Sequence, residues 1–159
     1  KHLADFLHML GNPVAVIDST GSTSMTRSLN LSYPLGILDV QRTLAVCAED
    51  GVAAVIIAMN NATLQREALE SVNVDVLGSE RVAQGEDVAS LKTRYAFVSD
   101  RALALTVPTG ESDELAAESP AMFDQDRLGH MSLAVAMVLA AGVRRNNVRS
   151  ALRVANNLR

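Results

Sequence analysis

The sequence predicts an α/β fold with a mainly parallel sheet of about four or more strands and helices on both faces of that sheet. Short apolar runs alternate with segments of helical periodicity along the chain. The runs are continuously apolar, which is typical of parallel strands that helices cover on both faces. Because parallel sheets bind ligands beyond the carboxyl ends of their strands, we expect a site in the loops that follow the strands.

The first predicted strand lies between an amphipathic helix and a long polar loop. The helix covers residues 1–10, and its apolar stripe consists of Leu3, Phe6, Leu7 and Leu10. Residues 14–18 (VAVID) are predicted as a buried strand. Residues 19–34 are rich in Ser and Thr and are predicted as a loop, which is longer than most connections in such folds. The loop is either a donor of N–H and O–H groups to an anion or a solvated turn.

The second predicted strand follows a helix over residues 35–50, which has a proline just before its start and a glycine just after its end. Residues 53–59 (AAVIIAM) are the strand, and it stops at Asn60 and Asn61. If the two strands are parallel neighbours, these amides share a rim with the polar loop after the first strand.

The second half of the chain repeats the alternation of helix and strand. The predicted elements are a helix at residues 62–70, a strand at 72–77, a helix at 86–97 and a strand at 101–107. Residues 108–127 are acidic and contain two prolines, and so we expect an exposed connection with one helical turn. Residues 129–143 and 144–159 are predicted as two helices separated by Gly142, the first of them apolar nearly all round. These expectations depend on the four apolar runs lying side by side in one parallel layer.

Length and composition favour one domain over residues 1–159, since 48% of the residues are hydrophobic. The first helix starts in the middle of its pattern, and we therefore expect the domain to belong to a larger chain or assembly. The chain has 14 basic and 18 acidic residues and no basic cluster flanked by aromatic residues. Nucleic acid is therefore not an expected partner.

Cysteine usage and hydropathy indicate the setting of the protein. Cys47 is the single cysteine, and we predict a buried structural thiol in a reducing, cytoplasmic protein. The longest apolar stretches are shorter than the roughly 20 residues that cross a bilayer, and so no membrane span is expected.

Two polar residues near predicted strand and helix ends leave alternatives open. Asp18 ends the first strand, where it either binds a ribose hydroxyl or a metal, or caps a local turn. His130 is predicted to open the apolar helix, where it contacts a planar ligand or serves as a packing or capping residue. No Walker lysine accompanies the Ser/Thr-rich loop, and the sequence contains no G-x-S-x-G or H-E-x-x-H motif.

Residues 33–64, YPLGILDVQRTLAVCAEDGVAAVIIAMNNATL, resemble the central ATP-binding domain of the Mur ligase family. The nearest likeness is to the UDP-N-acetylmuramoyl-tripeptide synthetases. That family has Thr-Thr-Pro before a helix of pattern L-x-x-Q-R-x-L, a glycine that ends the helix, and a strand that leads to M-E-V-S-S. The matching positions here are Ser32-Tyr33-Pro34, Gln41-Arg42, Gly51 and Ala58-Met59-Asn60-Asn61. The C-terminal segment is similar to the closing helices of the family, with some likeness to poly-γ-glutamate synthases.

The resemblance implies a site and its ligands. The implied residues for binding a nucleotide or UDP-sugar are Ser32, Tyr33, Asn60 and Asn61. His130 stands in the place of the asparagine that contacts the adenine of ATP. Lys92 lies roughly where the family has a carbamylated lysine that binds a second metal, and the alternative is an ordinary surface lysine. ATP and Mg²⁺ are the cofactors of the family.

Departures from the family pattern predict a scaffold without the reaction. The phosphate loop G-T-N-G-K-T-T is absent from the sequence, and Ala58 replaces the glutamate that holds Mg²⁺. We therefore expect a catalytically inactive relative of the ATP-dependent amide ligases of cell-wall or polyamide synthesis. One alternative is a non-catalytic module that binds a protein partner or forms a homo-oligomer. Another is an unrelated α/β nucleotide-binding domain.

Overall fold

A computed structural model describes residues 2–79, 87–100, 102–118 and 125–154. Its contacts divide the chain into two compact units. The sheet unit consists of Asn12–Val74 and Ala89–Asp100, and the helical unit consists of Lys1–Gly11, Asp75–Val88 and Arg101–Arg159. The single domain over residues 1–159 stays a prediction. Parts of the predicted helix at 86–97, the connection at 108–127 and the last helix lie outside the described residues.

The described elements alternate less regularly than the sequence predicts. In chain order they are α1 (His2–Met9), β1 (Val14–Ile17), β2 (Ser22–Ser24), β3 (Arg27–Leu29), α2 (Ile37–Glu49), β4 (Ala54–Ile57), β5 (Leu77–Gly78), α3 (Val88–Tyr95), β6 (Leu105–Thr106), α4 (Gly110–Ala117), α5 (Gln125–Ala140) and α6 (Arg145–Val154). Because the described elements include both helices and strands, the predicted α/β class is correct.

The sheet unit contains a mixed four-stranded sheet of order β3-β2-β1-β4. β1 and β4 are parallel, with Val14 beside Ala54 and Ile17 beside Ile57. β2 pairs antiparallel with both β1 and β3. A mainly parallel sheet is thus not confirmed, although the first two predicted strands are parallel neighbours as expected.

The four apolar runs do not form the single layer that the sequence predicts. The third run is divided, because Val74 donates its N–H to the carbonyl of Val98 in the sheet unit at 2.9 Å. Only its last residues form β5, which pairs in parallel with β6 in a separate two-stranded sheet of the helical unit. The runs at 72–77 and 101–107 are consequently much shorter strands than predicted.

The predicted loop at residues 19–34 contains the β2–β3 hairpin, and so the prediction of a loop throughout is wrong. Its strands are joined by a two-residue turn in which Met25 has a φ of 56°. Ser22 and Ser24 are buried, and both hydroxyls have hydrogen-bond partners. Small hydroxyl side chains take the inward positions that apolar residues occupy in most strands, which is why the hydropathy pattern does not reveal this hairpin.

The predicted helix at residues 62–70 is also wrong. The segment is a series of turns in which Glu67 has a φ of 61°, outside the helical region. Its internal backbone bonds are turn bonds, such as that from Ala68 to Gln65 at 3.2 Å. Other N–H groups bond to distant segments, since Gln65 donates to the carbonyl of Leu35 and Leu69 to that of Tyr95, both at 2.9 Å. Tertiary partners have replaced the helical hydrogen bonds.

The helix after the hairpin is confirmed, and its end has a defined motif. Gly51 adopts a φ of 77° just past the end of α2, where its N–H bonds the carbonyl of Ala48 at 3.1 Å and Val52 bonds Cys47 at 3.2 Å. This pair of bonds is a Schellman motif, which favours glycine at the left-handed position. Cys47 is buried on the inner face of the helix, as predicted.

The helical unit has its own apolar core. Leu3 and Leu7 of α1, and Leu10 just after it, pack against the buried members of this core, which are Leu115, Ala116, Met131, Val135, Val138, Val148 and Leu152. The predicted exposed connection is wrong at residues 110–117, because α4 contributes two core residues from within it. Thr109 begins α4 by accepting the N–H of Ser112 at 3.1 Å. Among the described residues, none of the helices is long and apolar enough to cross a membrane.

Candidate ligand-binding rim

The rim of the sheet unit is built where β1 and β4 end. The two strands are parallel, and so their carboxyl ends lie at the same edge of the sheet. Ala58, the first residue after β4, donates its N–H to the carbonyl of Ile17, the last residue of β1, at 2.9 Å. The loop after β1 and the turns after β4 are therefore neighbours, as the sequence predicts.

The loop after β1 is closed by its own polar groups. The Asp18 carboxylate accepts the N–H of Thr20 at 3.0 Å, which is an Asx turn. The backbone N–H of Asp18 bonds the Ser22 hydroxyl at 3.0 Å. Of the two interpretations of Asp18, the structure contains the turn cap. The loop is also tied to the turns after β4, because the Ser19 N–H donates to the buried Thr63 hydroxyl at 3.1 Å.

The segment that contains Tyr33 runs alongside the turns after β4. Leu35 donates its N–H to the carbonyl of Thr63 at 2.8 Å, and the Gln65 side-chain amide donates to the carbonyl of Pro34 at 2.9 Å. The Tyr33 hydroxyl bonds the Ser22 hydroxyl, and the Tyr33–Pro34 peptide is cis. The structure thus brings the segment of two predicted site residues beside the asparagine pair.

Asn60 and Asn61 each use the side-chain oxygen for a hydrogen bond within the protein. The Asn60 carbonyl oxygen accepts the N–H of Thr63 at 2.9 Å, and the Asn61 carbonyl oxygen accepts the hydroxyl of Tyr95 at 3.3 Å. Both residues are exposed, and within the described residues their NH₂ groups make no hydrogen bond. These amides can therefore act on a ligand as donors.

The remaining predicted site residues are Ser32, Lys92 and His130. Ser32 is exposed just before Tyr33, and its hydroxyl has no hydrogen-bond partner in the described residues. Lys92 is exposed on α3. His130 belongs to the helical unit and is exposed. It does not open its helix as expected, because α5 already begins at Gln125. Its contact with a nucleotide stays a prediction.

Sequence reasoning missed a polar concavity beside the asparagine pair. Its volume is about 360 Å³, it is open to solvent, and it is lined by Asn61, Leu64, Gln65, Arg66 and Arg94. Arg66 and Arg94 are 28 positions apart in sequence, and no spacing motif relates them. They become neighbours because Glu67 donates its N–H to the carbonyl of Arg94 at 2.8 Å.

The rim does not fit the magnesium ion of the ligases. Ala58 supplies no carboxylate, and its carbonyl oxygen accepts the N–H of Asn60 at 3.2 Å. Hard cations need several oxygen ligands, preferably charged ones. Among the described residues there is also no group of three or more His, Cys, Asp or Glu side chains that fits a metal.

A charged cluster lies away from the rim, near the amino end of β1. The Asp50 carboxylate accepts the buried Ser24 hydroxyl and the Arg27 guanidinium, both at 2.6 Å. These hydrogen bonds, with that from Ser24 the larger cause, hold the pKa of Asp50 below its usual range. Burial raises the pKa of the Cys47 thiol, against a smaller opposite effect of the Ser24 hydroxyl. A protonated, buried thiol suits a structural role.

No protein-family model, curated protein or solved structure matches the chain. The relation to the Mur ligases therefore stays a prediction.

Proposed function

We propose that the chain is a Mur-ligase-like domain, related to ATP-dependent amide ligases of cell-wall or polyamide synthesis, that binds a nucleotide or UDP-sugar without catalysis. The observation that supports this is the rim at the ends of the parallel pair β1 and β4, where the Tyr33 segment lies beside Asn60 and Asn61. The antiparallel hairpin lies on the other side of β1, and its Ser22 hydroxyl bonds that of Tyr33. A cytoplasmic setting is part of the proposal.

Neutral donors dominate the rim, which suits the hydroxyls and carbonyls of a nucleotide sugar. The available groups are the NH₂ of Asn60, the NH₂ of Asn61 and the Ser32 hydroxyl. Each neutral hydrogen bond contributes about 0.5–1.5 kcal/mol net. Three of them contribute about 2–4 kcal/mol, and a Kd of about 1 mM corresponds to about −4 kcal/mol. We therefore expect the UDP-sugar to bind weakly, with a Kd of about 1 mM or higher.

Catalysis is not proposed, because the chemistry of the family needs groups that this rim lacks. Phosphoryl transfer depends on positioning and on neutralising charge with metal ions and a lysine. Position 58 has a methyl side chain in place of the metal-binding carboxylate. The residues of the rim bind and orient a ligand, and we assign no catalytic residue to it.

Isothermal titration calorimetry of the full chain tests the proposal. The probes are UDP-N-acetylglucosamine and, separately, ATP with Mg²⁺. We expect the UDP-sugar to bind and Asn61→Ala to weaken its binding by about fivefold, which corresponds to about 1 kcal/mol. Asn30→Ala is the matched control, because Asn30 is an exposed amide outside the rim. Absence of heat with the UDP-sugar, or equal effects of the two substitutions, would overturn the proposal.

A non-catalytic assembly module is the second candidate, and β4 is the observation that favours it. β4 lies at the edge of the described sheet, and its four residues, all apolar, are only half-buried. Edge strands of this kind pair readily with another chain. The assembly module would be favoured if neither probe binds and if the molar mass from light scattering rises with protein concentration. Binding of ATP alone would favour an unrelated nucleotide-binding domain.

A further inference from the structure

The concavity lined by Asn61, Leu64, Gln65, Arg66 and Arg94 is a basic feature beside the rim. Two of its five lining residues are arginines, and none is acidic. The whole chain has a net charge of −4, so a basic concavity is not a consequence of composition. Such a local concentration of positive charge attracts anions.

Neither arginine of the concavity forms an ion pair with a described acidic residue, although the exposed Glu67 follows Arg66 in the chain. Three other described arginines pair with carboxylates, as Arg27 does with Asp50 at 2.6 Å and Arg149 with Glu118 at 2.8 Å, whereas Arg42 and Arg144 form no ion pair with described residues. Arg66 and Arg94 are exposed and form no ion pair or side-chain hydrogen bond with described residues. Both guanidinium groups therefore keep all of their donors for a ligand.

The backbone holds the two arginines in one place. Glu67, the residue after Arg66, donates its N–H to the carbonyl of Arg94. Leu69 makes the corresponding bond to Tyr95 at 2.9 Å. Glu67 keeps a φ of 61°, which is rare for residues other than glycine, asparagine and aspartate and persists where the surrounding structure dictates it. The fold therefore fixes the backbone positions from which the two arginine side chains extend.

The amides that line the concavity have different roles. Tyr95 occupies the carbonyl oxygen of Asn61 at 3.3 Å, which leaves the Asn61 NH₂ as a donor. The Gln65 NH₂ donates one of its two N–H groups to the carbonyl of Pro34. The donors that remain belong to two guanidinium groups, the Asn61 NH₂ and the second N–H of Gln65, all of which favour an acceptor with negative charge.

We propose that Arg66, Arg94 and the NH₂ of Asn61 form an oxyanion-binding site. Planar guanidinium groups bind phosphate and carboxylate oxygens through paired hydrogen bonds, which are stronger than neutral ones. The ligand is a phosphate-bearing or carboxylate-bearing small molecule. The inference rests on the proposed function only through Asn61, which belongs to both the neutral rim and this site.

Titration of the full chain with pyrophosphate and, separately, with glutarate tests the site and identifies the source of the oxyanion. We expect Arg66→Gln and Arg94→Gln each to weaken binding by about tenfold or more, because hydrogen bonds to charged groups are the stronger class. Arg42→Gln is the matched control. It removes the same charge from an exposed arginine of the sheet unit that lines a different, apolar concavity. Binding should also weaken as salt is raised.

The outcomes separate this inference from the proposed function. Preference for pyrophosphate identifies a phosphate ligand, and preference for glutarate identifies a carboxylate ligand.

Arg66→Lys keeps the charge and loses the paired N–H donors of the guanidinium group. Partial retention of affinity in this variant supports the proposed geometry. Absence of binding by both probes, or an equal loss in Arg42→Gln, overturns the site. UDP-sugar binding without binding of pyrophosphate or glutarate overturns the site while leaving the proposed function intact. Arginine-dependent pyrophosphate binding without UDP-sugar binding does the reverse.

Discussion

Replacing Thr63 with valine should uncouple the two loops that build the rim. Valine keeps the shape of the side chain and removes the hydroxyl, which is fully buried and accepts the Ser19 N–H at 3.1 Å. The net hydrogen bond contributes about 0.5–1.5 kcal/mol, and a buried donor left without a partner costs about 1–3 kcal/mol. Ser19 is half-buried. The expected loss in the free energy of unfolding is therefore about 1–2 kcal/mol.

Urea denaturation measures this loss, and amide hydrogen exchange at Ser19 locates it. In Thr63→Val we expect the Ser19 amide to exchange about tenfold faster, since about 1.4 kcal/mol of local stability is a factor of ten. Thr63→Ser is the control, because it keeps the hydroxyl and loses one methyl group, at about 0.8 kcal/mol. Its Ser19 amide should stay protected. Unchanged protection of the Ser19 amide in the valine variant would refute the role assigned to this hydrogen bond. An equal loss of Ser19 protection in both variants would refute it as well.

Two further predictions concern packing and charge. A β-carbon at Gly78 would overlap Met137, whose Sδ is closest and whose Cγ and Cε lie at 2.8 and 2.9 Å. Gly78→Ala should therefore lower stability by about 1–3 kcal/mol in thermal denaturation, and the double variant with Met137→Ala should lose less than the sum of the two single effects. The depressed pKa of Asp50 adds stability above the ordinary carboxyl pKa of about 3.9, which is lost as the pH falls through the lower folded-state pKa. Asp50→Asn should flatten the acid limb of a urea-midpoint profile, and a profile that matches the wild type would contradict this assignment.

Local signals in the sequence were sufficient for several elements. The glycine after α2 marks its end correctly, because only a left-handed residue completes the Schellman bonds there. The apolar stripe of the N-terminal helix contains residues that pack against the core of the helical unit. The runs at 14–18 and 53–59 become the parallel pair β1 and β4. In each case the information that specifies the helix or strand lies within a few neighbouring residues, although the pairing of β1 with β4 joins distant segments.

Other elements carried misleading local signals. The β2–β3 hairpin has serines at inward positions, and their burial is possible only because Asp18, Tyr33 and Asp50 supply partners from other segments. The turns at residues 62–70 have a composition that suits a helix, but Leu35 and Tyr95 supply carbonyls that take their N–H groups. Hydropathy and propensity do not contain these long-range partners.

By itself the sequence determined that the chain is α/β, that β1 and β4 are apolar strands, and that polar residues follow them. The tertiary structure alone decided which polar groups meet. Asn61 lies beside Arg66 and Arg94 because backbone bonds join the turns after β4 to the end of α3, across about 28 positions of sequence. The physical reason is that the hydropathy pattern of a segment specifies which side of its helix or strand is buried. A site forms instead where backbone groups of distant segments pair.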